Sequence, residues 1–267
     1  MKVVLTIAGS DSCGGAGIQA DLKTFSALGT YGMSVITAVT AQNTRGVQDI
    51  REMDEEIVEK QINCLFEDIK IDAVKIGMVF NTGIISVIAD CLKKNQAENI
   101  VVDPVMVSKS GHHLLKPEAK EQLVKMLFPL ATVVTPNICE AGLLTGERLE
   151  NLGEMKEAAQ KIQGLGCSNV IIKGGHLTGD AVDVLYDGNN FMCYKGSRIN
   201  TKNTHGTGCT FSSAIAAYLA RGFPLPEATG LAKEFINTAI AHSIELGHGY
   251  GPTHHFYSLY QKAGVFV

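Results

Sequence analysis

Mostly apolar runs alternate along the chain with segments in which apolar residues recur at helical spacing. The runs Ala73–Ile76, Ile100–Val102 and Val170–Ile172 are short and end at turn residues, which is typical of strands buried on both faces. The segments Glu55–Phe66 and Ile84–Leu92 place their apolar side chains on one face of a helix. Strands of this type separated by crossover helices predict an α/β fold, with a mostly parallel sheet between two layers of helices.

The rest of the chain continues this alternation. Further strands are predicted at 3–8, 35–41 and 132–134, and further helices at 18–28, 123–127, 140–144, 155–162, 209–220 and 225–246. The segments 182–186 and 190–194 flank the turn sequence Asp187-Gly188-Asn189, which predicts an antiparallel hairpin at one edge of the sheet. We find no linker and no internal repeat, and we expect residues 1–267 to form a single domain.

Glycines and polar residues follow most of the predicted strands. Ligands of parallel sheets bind beyond the carboxyl ends of the strands, so we expect these residues to meet at the rim of one site. They include Gly9, Gln42, Gly77, Met78, Asp103, Asn137 and Lys173. The segment 103–115 continues from one of these strand ends and is interpreted either as a lid over the rim or as an ordinary surface loop.

The glycine-rich segment 9–21 is the first candidate for a ligand-binding loop. Its residues Gly15–Ala20 match the dinucleotide pattern G-x-G-x-x-A, but the next strand does not end in the acid that would hold a ribose. A P-loop is excluded because Gly15-Ala16 stands where Lys-Ser/Thr is required. A turn that binds nothing remains an equally good interpretation of this segment.

The segment 205–213 is the second candidate. Gly206 and Gly208 leave backbone amides open at the start of a predicted helix, which is a favourable site for a phosphate. Cys209 lies in the first turn of that helix, where the pKa of a thiol is lowered, so we expect a thiolate that acts as nucleophile or general base. The alternative is a small residue that packs the start of the helix.

Four other side chains carry chemistry at or after the strand ends. Asp103 ends a strand, so its carboxylate could lie near a metal-bound phosphate. Lys173 follows a strand and could reach a phosphate; the alternative is a solvated lysine in a loop. Asn137 and Glu140 are three residues apart at a helix start. That spacing lets both orient Mg²⁺ through water, or lets them form a simple capping box.

Composition and charge narrow the class of partner. The 267-residue chain has a formal net charge of −4 and no basic run, so we expect neither nucleic acid nor an anionic membrane as a partner. Its seven cysteines form no Cys-x-x-Cys pair, and we identify no signal peptide or membrane span. Free thiols in a reducing cytoplasm are therefore expected. Four histidines lack metal-ligand spacing and are predicted to lie at the surface: His112, His113, His254 and His255.

Seven motifs occur in an order that resembles the hydroxymethylpyrimidine/phosphomethylpyrimidine kinase family of thiamine biosynthesis, within the ribokinase-like superfamily. They are Ala8–Asp21, Thr37–Asn43, Lys75–Met78, Val102–Met106, Thr135–Glu140, Val170–His176 and Thr204–Cys209. Each motif is moderately specific, whereas their order and joint presence are highly specific. The resemblance runs nearly end to end and implies a ribokinase-like three-layer α/β/α fold.

The resemblance also implies an activity and a substrate site. It implies ATP- and Mg²⁺-dependent phosphorylation of the hydroxymethyl group of 4-amino-5-hydroxymethyl-2-methylpyrimidine, followed by conversion of the monophosphate to the diphosphate. Gln42 occupies the position at which the family bonds the pyrimidine. Gly9, Asp21, Met78 and Val105 occupy positions that line the same pocket in the family.

The family's catalytic and nucleotide-binding positions are carried over in the same way. Gly206, Thr207 and Gly208 would form the anion hole, with Cys209 as the base for the attacking hydroxyl. The remaining roles fall to Lys173 and Asp103 as ATP contacts, and to Asp103, Asn137 and Glu140 as organisers of Mg²⁺, through water. Because the family is commonly dimeric, the resemblance also implies a homodimer.

Two classes of alternative remain open at this point. A pyridoxine or pyridoxal kinase would use the same fold, although Ser108 favours the pyrimidine because some related pyridoxal kinases carry cysteine there. A different class of protein would be a cysteine-dependent acyltransferase or hydrolase that uses Cys209 and His205. A sensor that binds vitamin and nucleotide without catalysis is a further alternative.

Overall fold

A computed structural model describes residues 1–106, 116, 118–175 and 181–265. Nine strands are present in this part of the chain: β1 (Val3–Asp11), β2 (Tyr31–Asn43), β3 (Gly46–Glu52), β4 (Ala73–Ile76), β5 (Ile100–Val102), β6 (Val133–Val134), β7 (Val170–Ile172), β8 (Ala181–Tyr186) and β9 (Phe191–Gly196). They form one sheet in the order β3-β2-β1-β4-β5-β6-β7-β8-β9. Within it, β2, β1, β4, β5, β6 and β7 run parallel to one another.

Helices cover both faces of this sheet. They are α1 (Gly17–Ala27), α2 (Glu55–Asp68), α3 (Thr82–Lys94), α4 (Ala119–Met126), α5 (Ile138–Thr145), α6 (Leu152–Gln163), α7 (Thr207–Ala220), α8 (Leu225–Ala241) and α9 (Tyr257–Lys262). Alternate residues of the central strands point to opposite faces, so Val101 packs with α1, α7 and α8, whereas Val102 packs in the larger core with α2, α3, α4 and α6. The predicted three-layer arrangement is confirmed. Among the described residues, none of the helices has the length and apolar character that crossing a bilayer requires.

Both ends of the sheet are antiparallel, and only one of them was predicted. The hairpin β8–β9 is present as expected, and β8 also pairs antiparallel with β7. The strand β3, which pairs antiparallel with β2, was missed. It lies at the edge of the sheet, so its exposed positions are polar and it lacks the apolar run that marks the buried strands.

Two other expectations about the C-terminal part were wrong. The last long helix ends at Ala241 rather than at residue 246. His254 and His255 are buried rather than at the surface. The imidazole of His255 lies 2.9 Å from Thr210 Oγ1, and His254 packs edge-on against Tyr257 and Tyr260, so both rings pack inside the fold. His112 and His113 lie outside the described residues.

A buried ion pair ties the sheet to the helices that cover one face. Lys75 of β4 donates to both carboxylate oxygens of Asp21 on α1, at 3.0 and 2.8 Å, and neither side chain is exposed to solvent. Thr6 of β1 and Ser213 of α7 donate to the same carboxylate. Burial alone would lower the pKa of Lys75, but the Asp21 carboxylate raises it above its usual value. The ammonium group is therefore charged inside the fold.

This pair predicts a large and specific loss of stability. Replacing Lys75 by Met leaves the Asp21 carboxylate buried without its cation, so we expect the free energy of unfolding to fall by about 3–5 kcal/mol. Adding Asp21→Asn should restore part of that loss, because the uncompensated charge is removed. Lys60→Met is the matched control: its exposed partner is Glu56, and its loss should be at most about 1 kcal/mol. Urea unfolding of the four proteins measures these differences, and equal losses for Lys75→Met and Lys60→Met would contradict the assignment.

Candidate active site

A cavity of about 740 Å³ opens at the carboxyl edge of the parallel strands. It collects residues that are far apart in the sequence, because the ends of β1, β4 and β5, and the turns after β6 and β7, meet at this edge. The residues predicted for the site that line it are Gly9, Gln42, Met78, Asp103, Val105, Asn137, Glu140, Lys173, Gly206, Thr207, Gly208 and Cys209. One rim therefore holds nearly the whole predicted set.

Asp21 is the exception, and its predicted place in the pyrimidine pocket is corrected. Helix α1 turns this carboxylate inward, where its oxygens accept from Lys75, Thr6 and Ser213. It is fully buried beneath the site, whereas Lys75 itself reaches the cavity wall. Asp21 thus acts on the site through Lys75 and not by direct contact.

The glycine-rich loop is held in place by Asp11, at the end of β1. Its Oδ2 accepts from the amides of Gly15 and Ala16 at 3.0 and 2.8 Å, and its Oδ1 accepts from the amide of Cys13 at 2.8 Å. His205 Nε2 lies 2.8 Å from the same Oδ2. Burial alone would raise the pKa of Asp11, but His205 and these amides lower it below its usual value. Asp11 is therefore a carboxylate that joins the loop to the segment before α7.

The start of α7 lies against this loop at very short range. Gly206 precedes the helix with φ +76°, and a Cβ at this position would lie 1.7 Å from the carbonyl oxygen of Gly15. Only glycine allows this approach. The contact brings the first turn of α7 to the cavity. The Thr207 amide donates to the Thr204 carbonyl at 3.4 Å, and the start of a helix leaves further amides available to an anion.

Cys209 lies in that first turn. The sequence predicted a thiolate there, but the surroundings of Cys209 favour the protonated thiol. Burial raises the pKa of Cys209 to about 11, although Lys75 and the amide of Gly17 act in the opposite direction. Asp21 and Asp103 raise the pKa of this thiol further. Burial thus raises the pKa of Cys209 by more than the expected lowering at the helix start, and the thiol is protonated at neutral pH.

Asp103 and Lys173 form a second ion pair, on the opposite side of the first turn of α7. Lys173 Nζ donates to Asp103 Oδ1 at 2.7 Å, and the same carboxylate accepts from Thr135 and Ser212. Gly208 packs against this pair, because a Cβ there would lie 3.3 Å from Lys173 Nζ. Asp103 and Glu140 raise the pKa of Lys173 despite its burial. Lys173 is thus a charged group beside the anion-binding turn, rather than a solvated loop lysine.

Asn137 and Glu140 form the capping box of α5. Asn137 Oδ1 accepts from the Glu140 amide at 3.0 Å, and Glu140 Oε2 accepts from the Asn137 amide at 2.8 Å. Burial raises the pKa of Glu140 to about 7, against the opposing charge of Lys173. The capping interpretation is therefore correct. The capping box does not use the second carboxylate oxygen of Glu140 or the side-chain amide nitrogen of Asn137.

Gln42 lies at the far end of β2, across the cavity from α5. Its backbone amide donates to Ser12 Oγ, and its carbonyl accepts from the same hydroxyl, both at 2.8 Å. Thr40 Oγ1 donates to Gln42 Oε1 at 3.3 Å, and Gln42 Nε2 lies 3.4 Å from His205 Nε2. Met78 and Val105 form an apolar wall together with Ala38. A Cβ on Gly9 would lie only 2.4 Å from Met78 Cε, so a side chain at position 9 would clash with this wall. A flat heterocycle fits between such a wall and an amide.

Sequence reasoning gave no role at this site to Lys75 or Asp11, and it named His205 only in the acyltransferase alternative. Lys75 had a signal, because it is the single charged residue in an otherwise apolar strand. Asp11 and His205 had only a weak one, since their contact joins positions 194 residues apart. Further parts of the cavity wall come from β8, the segment after β9 and α8, and include the ion pair of Lys233 and Asp183 at 2.7 Å. Most of the predicted lid, including Ser108 and Gly111, lies outside the described residues.

Three comparisons with known proteins identify the family of this chain. Residues 11–254 match the family model described as phosphomethylpyrimidine kinase. A hydroxymethylpyrimidine/phosphomethylpyrimidine kinase of Rhizobium meliloti (strain 1021) is 52% identical over 259 residues, which are 96% of this chain and 97% of that protein. The crystal structure of phosphomethylpyrimidine kinase from Clostridium difficile 630 is 54% identical, has a TM-score of 0.81, and is matched over 90% of this chain and 100% of its own.

A solved pyridoxal kinase is also similar. The ADP complex of Bacillus subtilis pyridoxal kinase has a TM-score of 0.90 and 45% identity, over 96% of this chain and 98% of that chain. The predicted family resemblance and the ribokinase-like fold are thus confirmed. The fold alone does not separate a pyrimidine from a pyridoxal substrate, so the choice depends on the site.

The environment of Cys209 predicts an unusual pH dependence of its reactivity. Because its pKa is raised to about 11, its thiolate fraction should increase about tenfold for each pH unit between 7 and 10. Iodoacetamide labelling, followed by mass spectrometry of each cysteine peptide, measures this rate. Cys64 is exposed and outside the cavity, and serves as the reference for the reagent. A Cys209 rate that is already maximal at pH 7 would contradict the protonated thiol.

Proposed function

The chain belongs to the phosphomethylpyrimidine kinase family, and we propose that it transfers the γ-phosphoryl group of ATP to the hydroxymethyl group of 4-amino-5-hydroxymethyl-2-methylpyrimidine. In a second round it phosphorylates the monophosphate to the diphosphate. The observation that carries this proposal is a single cavity in which an amide suited to an aminopyrimidine lies opposite an anion-binding helix start with a cysteine. Similar proteins named for both steps support the assignment.

The heterocycle would bind between the apolar wall and Gln42. The ring stacks against Met78 and Val105, and the Gln42 amide offers one donor and one acceptor to its edge. Gly9 keeps this slot open, because any larger residue would displace Met78. The hydroxymethyl group then points toward the start of α7, where the phosphoryl group is held.

The chemical step is an in-line displacement. The substrate oxygen forms a bond to the γ-phosphorus, the bond from that phosphorus to the bridging oxygen breaks, and ADP leaves. The amides at Gly206–Gly208 and the ammonium group of Lys173 stabilise the charge on the transferred group. The hydroxyl proton goes to the Cys209 sulfur, which must be a thiolate when the substrate is in place. Lys75 and the amide of Gly17 favour that thiolate.

The acidic residues of the site fit a divalent cation. Asp103 and Glu140 supply carboxylate oxygens, the ligand type that Mg²⁺ prefers. The Asn137 amide oxygen already accepts from the Glu140 amide and has one further lone pair to offer. Both carboxyl groups are buried, and Glu140 has a pKa of about 7, so a cation would relieve their mutual repulsion. When bound there, directly or through water, Mg²⁺ would neutralise charge on the nucleotide phosphates. Lys173 and Asp103 would contact the nucleotide itself, and the similar Bacillus subtilis pyridoxal kinase has been solved as an ADP complex.

The structure and the comparisons bear differently on the two main alternatives, a pyridoxal kinase and a cysteine-dependent acyltransferase. Pyridoxal remains the second candidate substrate because of the structural similarity to Bacillus subtilis pyridoxal kinase. An acyltransferase that pairs Cys209 with His205 is not supported, since the groups that act on the Cys209 thiol are Lys75, Asp21, Asp103 and the amide of Gly17, and His205 is not among them. One kinase domain over residues 1–267 and a homodimer are what we expect from the family. We also expect a cytoplasmic location, and we expect no nucleic-acid or membrane partner.

Release of ADP tests the proposed function. With ATP and Mg²⁺, we expect turnover with the hydroxymethylpyrimidine and with its monophosphate that is well above turnover with pyridoxal at equal concentration. Faster turnover with pyridoxal would keep the fold and the site but overturn the substrate. No release of ADP with any of the three, from protein that binds the pyrimidine, would favour a sensor.

Replacing Cys209 by Ala tests its role as base. We expect kcat to fall by about 10²–10⁴ while the pyrimidine still binds, because proton transfer is lost but the heterocycle slot is intact. In the unaltered protein kcat should rise with pH from 7 toward 10, since the thiolate fraction rises below the raised pKa of Cys209. Cys64→Ala is the control and should change neither quantity. Near-normal kcat in the Cys209→Ala protein would remove the base assignment.

A further inference from the structure

We propose that Asp11, Cys13 and His205 form a binding site for a zinc-like divalent cation, separate from the magnesium position expected at Asp103 and Glu140. The site lies where the glycine-rich loop meets the segment before α7, at the edge of the cavity. The inference does not depend on the proposed function, because it concerns only the cation and these three side chains.

The three side chains bring their donor atoms together although they come from two distant segments. One carboxylate oxygen of Asp11, the sulfur of Cys13 and one ring nitrogen of His205 lie within 4.8 Å of one another. In a four-coordinate zinc site, bonds of about 2.0–2.3 Å place such atoms about 3.3–3.6 Å apart, so they need to approach by at most about 1.5 Å. Among the residues that the structure describes, this is the only group of three histidine, cysteine or acidic side chains that meets this distance.

Two of the three ligands are already held in place. The Asp11 carboxylate is buried and accepts from three backbone amides of the loop. The His205 ring packs so closely on Gly15 that a Cβ there would lie 2.4 Å from its Cδ2. Cys13 is half-buried in a turn in which the Gly14 amide donates to the Asp11 carbonyl at 2.9 Å. Its sulfur is therefore the donor that must move toward the other two.

The cation would enter the contact between His205 Nε2 and Asp11 Oδ2, which are 2.8 Å apart. Asp11 is a carboxylate, so the proton between the two atoms is on the nitrogen. A bound cation takes the place of this proton, which moves to Nδ1 or to solvent, and Cys13 releases its thiol proton to solvent. The contact then lengthens by about 0.5 Å to the separation that zinc requires.

The donor set determines the class of metal. Thiolate sulfur and imidazole nitrogen are good ligands for Zn²⁺ and Co²⁺, whereas Mg²⁺ prefers oxygen. The three side chains fill three of four positions, and Asp11 and His205 line the cavity. The fourth position therefore faces the cavity and is open to water. An exchangeable fourth ligand distinguishes this arrangement from a closed structural zinc site.

Cobalt titration of the reduced, nucleotide-free protein tests the site. We expect one Co²⁺ per chain, with the visible absorption of four-coordinate cobalt and a near-ultraviolet band from sulfur-to-cobalt charge transfer. Zn²⁺ should displace the cobalt, and a large excess of Mg²⁺ should not. Cys13→Ser should remove the charge-transfer band and weaken binding by at least the about 10–100-fold that loss of an outer-shell partner costs. Cys139→Ser is the matched control, because Cys139 also lines the cavity, and it should keep both the band and the affinity.

A second variant and a stability measurement keep the test independent of one substitution. His205→Asn removes the ring nitrogen but retains a hydrogen-bond donor for Asp11, and should weaken cobalt binding by a similar factor. Zn²⁺ should raise the midpoint temperature of unfolding of the unaltered protein, but not that of folded Cys13→Ser, because a ligand of the folded state stabilises that state. An unchanged cobalt spectrum in Cys13→Ser or His205→Asn would overturn the inference. So would loss of the band in Cys139→Ser, or failure of the unaltered protein to bind cobalt.

Discussion

The structure depends on one geometric constraint, the shared direction of six neighbouring strands. Because parallel strands end at the same edge, residues from six separate segments reach one rim without any long loop to carry them. Glycines and helix starts supply the backbone at that rim, and the charged Asp103 and Lys173 each follow their strand by one residue. Each crossover helix buries the sheet face that makes this arrangement stable.

A second constraint joins the two halves of the site. The loop after β1 and the segment before α7 touch so closely that Gly206 has no room for a side chain against Gly15. Asp11 is bonded to both segments through backbone amides and His205. Any shift of the anion-binding turn therefore moves the loop that holds Ser12, and with it the backbone of Gln42. Binding of the heterocycle and binding of the phosphate are mechanically connected through this contact.

Sequence patterns predicted what depends on periodicity and local motifs, and failed where burial decides. The buried strands from β4 to β7 have strong apolar runs and were placed to within a residue. Edge strand β3 was missed because solvent allows it polar residues. The local sequence around Asp21 and Cys209 matched the family motifs, but it did not show which distant residues surround their side chains. The Asp21 carboxylate faces Lys75, 54 positions away, and the Cys209 thiol is surrounded by groups from three other elements.

The charges around Cys209 show what substrate binding must accomplish. Lys75 lies on one side of the thiol, while Asp21 and Asp103 act on it with the opposite sign, so the pKa remains near 11. At pH 7 only about one molecule in 10⁴ then holds the thiolate. A phosphoryl donor adds negative charge, which opposes thiolate formation further unless the cations of the site turn toward it. Lys173 is already paired with Asp103, so the donor must compete for that ammonium group. In the proposed role of Cys209 as base, the thiolate would become available only when the bound ligands have redistributed the two ion pairs, which would restrict proton transfer to the fully assembled complex.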